Sequence, residues 1–146
     1  MKFVRSLFIS AALLCCGIAS ASPLTIDNAY VRATPPHAKN SAAFMVINNT
    51  EVREVQLIAV NSDIAERVEL HNHIMQDGLM KMREVEQINI APQGKAELQP
   101  GGLHVMFLGL KQELREGQSV RLSLYFDNGE QIIIDAPVKK IKMHKK

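Results

Sequence analysis

An all-β fold, a Greek-key sandwich or barrel, is predicted by three features of the sequence. Apolar and polar residues alternate over short runs, turn dipeptides separate those runs, and no segment beyond the first twenty-odd residues carries a convincing helical period. Leu24 to Ala33 reads as a first strand, closed by Pro35-Pro36, and Ala42 to Asn48 as a second, closed by Asn49-Thr50. Val55 to Val60 follows. Arg67 to Met75 and Leu79 to Val85 flank Asp77-Gly78, a dipeptide that favours a tight hairpin turn. Ile88 to Ile90 and Lys95 to Leu98 are short strands, and Pro100-Gly101-Gly102 turns the chain into Leu103 to Leu110. Leu110 to Arg115 has room for one helical turn. Ser119 to Phe126 and Gln131 to Val138 surround Asp127-Asn128-Gly129, a second hairpin signal.

The N-terminus reads as an export signal. Lys2 and Arg5 form a basic segment, Ser6 to Gly17 an apolar one too short for a stable bilayer anchor, and Ala19-Ser20-Ala21 a small-residue cleavage site. Residues 1–21 are therefore expected to be removed, leaving residues 22–138 as one β-domain and 139–146 as a Lys-rich tail. Cys15 and Cys16 lie within the leader, and Leu14 and Cys15 stand before them where a lipidated cysteine is preceded by a small residue. Cleavage without lipidation is expected, and the mature chain then has no thiol for a disulfide or a redox motif.

The whole chain has 17 Lys+Arg against 15 Asp+Glu, and losing Lys2 and Arg5 brings the mature net charge near zero. Such a balance gives no reason to expect nucleic acid as a partner. The exception is local: Lys139, Lys140, Lys142, Lys145 and Lys146 crowd the C-terminus, as a solvated tail or as a surface for an acidic partner or anionic membrane.

Against that background the histidines and methionines stand out. His104 and Met106 are two residues apart, so they share one strand face while Val105 and Phe107 take the core face. A hairpin centred on Asp77-Gly78 sets His73 opposite Met82, Met75 opposite Met80 and His71 diagonal to Met82. Two strand pairs can thus bring His71, Met82, His104 and Met106 to one end of a sandwich. Imidazoles and thioethers without thiolate suit Cu(I). Zn²⁺ would recruit Cys, His or carboxylates, and Ca²⁺ or Mg²⁺ would want oxygen. A thioether has no proton to lose and forms no disulfide, so it can hold copper in an oxidising compartment. Each residue also has a plainer reading. Met80 and Met82 fit a core-filling stripe, His71-x-His73 an exposed polar face, His37 a loop surface, and Met143-His144 a solvated tail. His73, Met75, Met80 and Met143-His144 are further candidates for contact with the metal.

The spacing His71-x10-Met82-x21-His104-x-Met106, with the stretches VELHNHIMQDGLMKMREVE, LQPGGLHVMFLGLK and ATPPHAKNSAAFMVINN, resembles the PCuAC family of periplasmic copper chaperones over nearly the whole mature chain. The resemblance implies a cupredoxin-like β-barrel that holds one Cu(I) through His71, Met82, His104 and Met106. It also implies a periplasmic carrier, not an enzyme. Copper would pass by ligand exchange to an acceptor such as the CuA centre of cytochrome c oxidase subunit II, with a thioredoxin-like copper chaperone as a further partner. A monomer without stable membrane insertion is expected. The His/Met-rich C-terminal extension of some members is reduced here to Met143-His144. The alternatives are a metal-free β-sandwich used as a binding or scaffold module, and an electron-transfer cupredoxin. A blue-copper site needs a Cys thiolate, which the mature chain lacks.

Overall fold

The computed structural model describes residues 21–141. The expected leader, its cleavage site up to Ser20, and Met143-His144 lie outside that range. Ten strands form: β1 (Leu24–Arg32), β2 (Asn40–Asn49), β3 (Val55–Asn61), β4 (Ala65–Gln76), β5 (Leu79–Glu84), β6 (Ile88–Ile90), β7 (Lys95–Leu98), β8 (His104–Leu110), β9 (Ser119–Phe126) and β10 (Gln131–Lys139). The described residues are all-β, and every expected strand is present, with the bounds of several shifted by one or two residues.

Hydrogen-bonded neighbours run β5-β4-β8-β2-β1-β10-β9-β3-β6, with β7 also on β2. Two halves meet where β1 runs parallel to β10, Val31 beside Val138. β2 serves two partners along one edge: Asn40 to Ala43 pair with β8, and Met45 to Asn48 with β7. The halves fold over one another as a cupredoxin-like sandwich around a shared core. Val31, Ala43, Ile47, Val105 and Phe107 come from one half and Val55, Leu57, Leu122 and Leu124 from the other, all fully buried. The core residues alternate along their strands, as a half-buried sheet requires.

Turn chemistry sets the register. Asp77 and Gly78 both take positive φ, 54° and 73°, the backbone of the tight turn whose twist matches the flanking strands. The β4–β5 register is then regular from His71↔Glu84 to Gln76↔Leu79. A one-residue slip would send its whole outer face to the other side.

The helical turn anticipated at Leu110 to Arg115 does not form; Leu110 ends β8 and residues 111–115 are bends and loop. Leu114 is instead fully buried as a plug. Its N–H donates to Thr34 Oγ1 at 3.1 Å and its carbonyl accepts from the Thr34 N–H at 2.9 Å, so the loop is tied to the chain after β1. β10 runs through Lys139, whose Nζ lies 5.7 Å from the Tyr30 ring centroid, and Lys140 Nζ is 3.7 Å from Glu116. No described helix is long and apolar enough to cross a membrane.

Candidate metal centre

The outer face of the β5-β4-β8-β2 segment gathers the anticipated donors. β4 and β8 are hydrogen-bonded partners, and their register puts His71 directly opposite His104 and Glu69 opposite Met106. Leu70 and Val105, on the other face of the same pair, enter the core. On the far side of β4, Met82 faces His73 and Glu84 faces His71. Met82 is therefore one diagonal step from His71, within reach for a long side chain. The strand face thus brings His71, His104, Met106 and Met82 into one neighbourhood and adds His73. The ring centroid of His104 is 5.7 Å from that of His71 and 5.2 Å from that of His73.

Burial is steeply graded across the set: His104 is 2% exposed, Met82 40%. A depression of about 140 Å³ opens over His104, Met106, Met82 and His73, edged by Phe44 and by Ile141. Gly101, at φ 85°, turns the chain just before β8 and lets the Pro100-Gly101 backbone form one wall. His37 is exposed in its own loop, and Met45 is 2% exposed within the core.

Hydrogen bonds hold two of the rings. His104 Nδ1–H donates to the Gly102 carbonyl at 2.9 Å, which leaves its Nε2 lone pair free. His71 Nε2 meets Glu69 Oε2 at 2.8 Å, in the tautomer that donates to the carboxylate. Glu69 Oε1 also takes Arg67 at 3.0 Å. Such a carboxylate partner orients a ligating imidazole and raises its basicity. The remaining ring nitrogen, His71 Nδ1, is buried without a hydrogen-bond partner among the described residues, and so is His73 Nδ1. Buried polar atoms are nearly always paired, so two orphaned imidazole nitrogens beside thioethers fit a metal. Burial holds the His104 imidazole below its usual pKa, partly opposed by the Gly102 hydrogen bond and reinforced by His73, His71 and Arg32. A neutral imidazole is the form a metal needs. Among the described residues no group of three or more His, Cys, Asp or Glu is arranged to hold a metal. The donors that do gather are mixed imidazole and thioether.

Glu69, drawn into the site by its contact with His71, is the residue that motif spacing missed. The alternation Glu69-x-His71-x-His73 on one strand is the signal that would have found it.

Fold and site together define a cupredoxin-like domain with a cluster of imidazole and thioether donors on one sheet face. The LpqE-like family model matches residues 24–138, and the chain belongs to that family, which is the PCuAC family. Lxx21020 of Leifsonia xyli subsp. xyli, named as a lipoprotein, is 30% identical over 120 residues, covering 82% of this chain and 71% of that protein. The solution structure of CuI-DR1885 from Deinococcus radiodurans superposes with a TM-score of 0.70 at 30% identity, covering 87% of this chain and 85% of that one. The copper-bound PCuAC domain from PmoF2 does so with a TM-score of 0.71 over 84% of this chain and 97% of that one; at 21% identity it speaks to the fold alone.

Proposed function

We propose that this protein is a periplasmic Cu(I) carrier that holds one copper through His71, Met82, His104 and Met106 and hands it on by ligand exchange. The observation that carries the reading is the β4–β8 register, which sets His71 against His104 with Met106 on the same face and Met82 on the adjoining edge strand. The 30%-identical DR1885 structure is of the CuI form of that protein, which supports the choice of metal. Export is supported by the lipoprotein name of the Leifsonia relative. The leader at residues 1–21 and the division into a β-domain at 22–138 and a tail at 139–146 belong to the same reading.

The chemistry favours a carrier over an enzyme. Thioethers are neutral, soft and individually labile. Met82, on the edge strand and 40% exposed, is the donor an incoming ligand displaces first, while His104 at 2% exposure is released last. Copper then never leaves coordination during transfer. The acceptor we assign is the CuA centre of cytochrome c oxidase subunit II, with a thioredoxin-like copper chaperone as a further partner.

The test is an anaerobic Cu(I) titration of the mature protein against a chromophoric Cu(I) chelator, beside the variant Met82→Ala/His104→Ala/Met106→Ala. One tight equivalent in the parent, lost in the variant, is expected. Equal competition by both proteins would return the metal-free binding-module reading to first place.

A further inference from the structure

The β4–β5 hairpin carries more donors than the inner site needs. Met75 and Met80 are direct cross-strand partners one rung beyond His73 and Met82, in an unbroken register. Alternation puts Met75, His73 and His71 on one face of β4 and Met80 and Met82 on the same face of β5. The hairpin therefore bears a ladder of soft donors: Met75 with Met80 at the tip, His73 with Met82 next, then His71 beside His104. Exposure falls along it, from 66% and 57% at Met75 and Met80 to 40% at Met82 and 2% at His104.

A methionine usually serves to fill an irregular gap in a core. Met75 and Met80 fill none, since most of each side chain is in solvent. The edge strand β5 is blunted with charge at Lys81, Arg83 and Glu84, so exposed thioethers at Met80 and its partner Met75 serve no purpose in protecting that edge. Directly opposed residues have Cβ atoms about 4.5–5.5 Å apart, so both sulfurs can reach one small soft ion. The next rung supplies His73, whose Nδ1 is buried and has no hydrogen-bond partner among the described residues.

We propose that Met75 and Met80 form an outer Cu(I) station, and that copper enters and leaves the inner site through it by way of His73 and Met82. The proposal rests on the carrier reading above. Each move is an exchange of one neutral donor for another on the same d10 ion, with no change of oxidation state. The tip is the part of the ladder that a donor or acceptor protein meets first, and the burial gradient sets the direction of increasing protection.

The test uses the mature protein labelled with [methyl-13C]methionine and the variant Met75→Leu/Met80→Leu, in which thioethers on exposed side chains are replaced by hydrocarbon of similar size. With Cu(I) added beyond one equivalent, the parent should show the Met75 and Met80 methyl signals moving after those of Met82 and Met106. In the variant the first equivalent should bind as tightly as in the parent, but transfer to a chelator followed by stopped flow should slow about tenfold or more. Unmoved tip methyls, or equal transfer rates, would overturn the relay while leaving the carrier reading intact. A first equivalent weakened in the variant would overturn the division into outer and inner sites. A parent that takes up no Cu(I) would sink the carrier reading itself.

Discussion

Replacing Glu69 with alanine should weaken copper binding without unfolding the protein. Glu69 Oε2 lies 2.8 Å from His71 Nε2, and both side chains are mostly buried, at 16% and 13% exposure. The carboxylate therefore fixes the ring in a place where water competes poorly. Loss of a second-sphere partner of this kind typically costs about 10–100-fold in metal affinity, or about 1.4–2.7 kcal/mol. The other contact of Glu69 is to Arg67, whose side chain is 71% exposed, so that ion pair adds at most about 1 kcal/mol to folding. Stability and affinity should thus separate. Chelator competition should show the affinity loss in Glu69→Ala and a smaller one in Glu69→Gln, which keeps a hydrogen-bonding oxygen. Arg67→Ala should bind copper normally. Parent-like affinity in Glu69→Ala would refute the idea that the carboxylate orients a ligand.

Three further outcomes follow from the same geometry. Because burial depresses the His104 pKa, protonation favours the unfolded chain, so this residue stabilises above its unfolded pKa of about 6.5 and the contribution is lost as pH falls through the lower folded value. Thermal melts of the copper-free protein should drop on acidification below about pH 6.5, less steeply in His104→Gln, and copper affinity should fall in the same direction as protons compete for imidazole. Met106→Leu keeps volume and should cost under about 1.5 kcal/mol in urea unfolding, yet lower Cu(I) affinity about tenfold or more in chelator competition, equivalent to about 1.4 kcal/mol. Phe107→Ala, at the next residue along the chain, on the opposite face and fully buried, should do the reverse: about 3–5 kcal/mol lost from folding, with copper binding retained by the molecules that remain folded.

Much of this molecule is legible in its residues because strand chemistry is local. The alternation His104-Val105-Met106-Phe107 announces one face for a metal and one for the core, and the structure keeps that division. The Asp77-Gly78 turn sets the β4–β5 register before any tertiary contact is known, so His73 against Met82 and Met75 against Met80 could be read directly. What could not be read is which strands lie side by side. That β8 pairs with β4 on one edge and β2 on the other depends on how the halves fold over a common core, and local patterning carries no record of it. Hence the opposition of His71 and His104, and of Glu69 and Met106, emerges only in three dimensions. The absent turn of helix after Leu110 has a similar cause: burying Leu114 and tying it to Thr34 are long-range effects that outweigh local propensity. The contacts of Lys139 with Tyr30 and of Lys140 with Glu116 are likewise long-range and leave no mark in the local pattern.

The central claim is that imidazoles and thioethers from β4, β5 and β8 converge on one copper ion. X-ray absorption at the copper K edge reads those neighbours directly, on the mature protein loaded anaerobically with less than one equivalent of Cu(I). A shell of nitrogen and sulfur scatterers is expected, with the sulfur contribution lost in Met82→Leu/Met106→Leu and the nitrogen contribution kept. A shell of light atoms alone, or sulfur scattering unchanged in that variant, would contradict it.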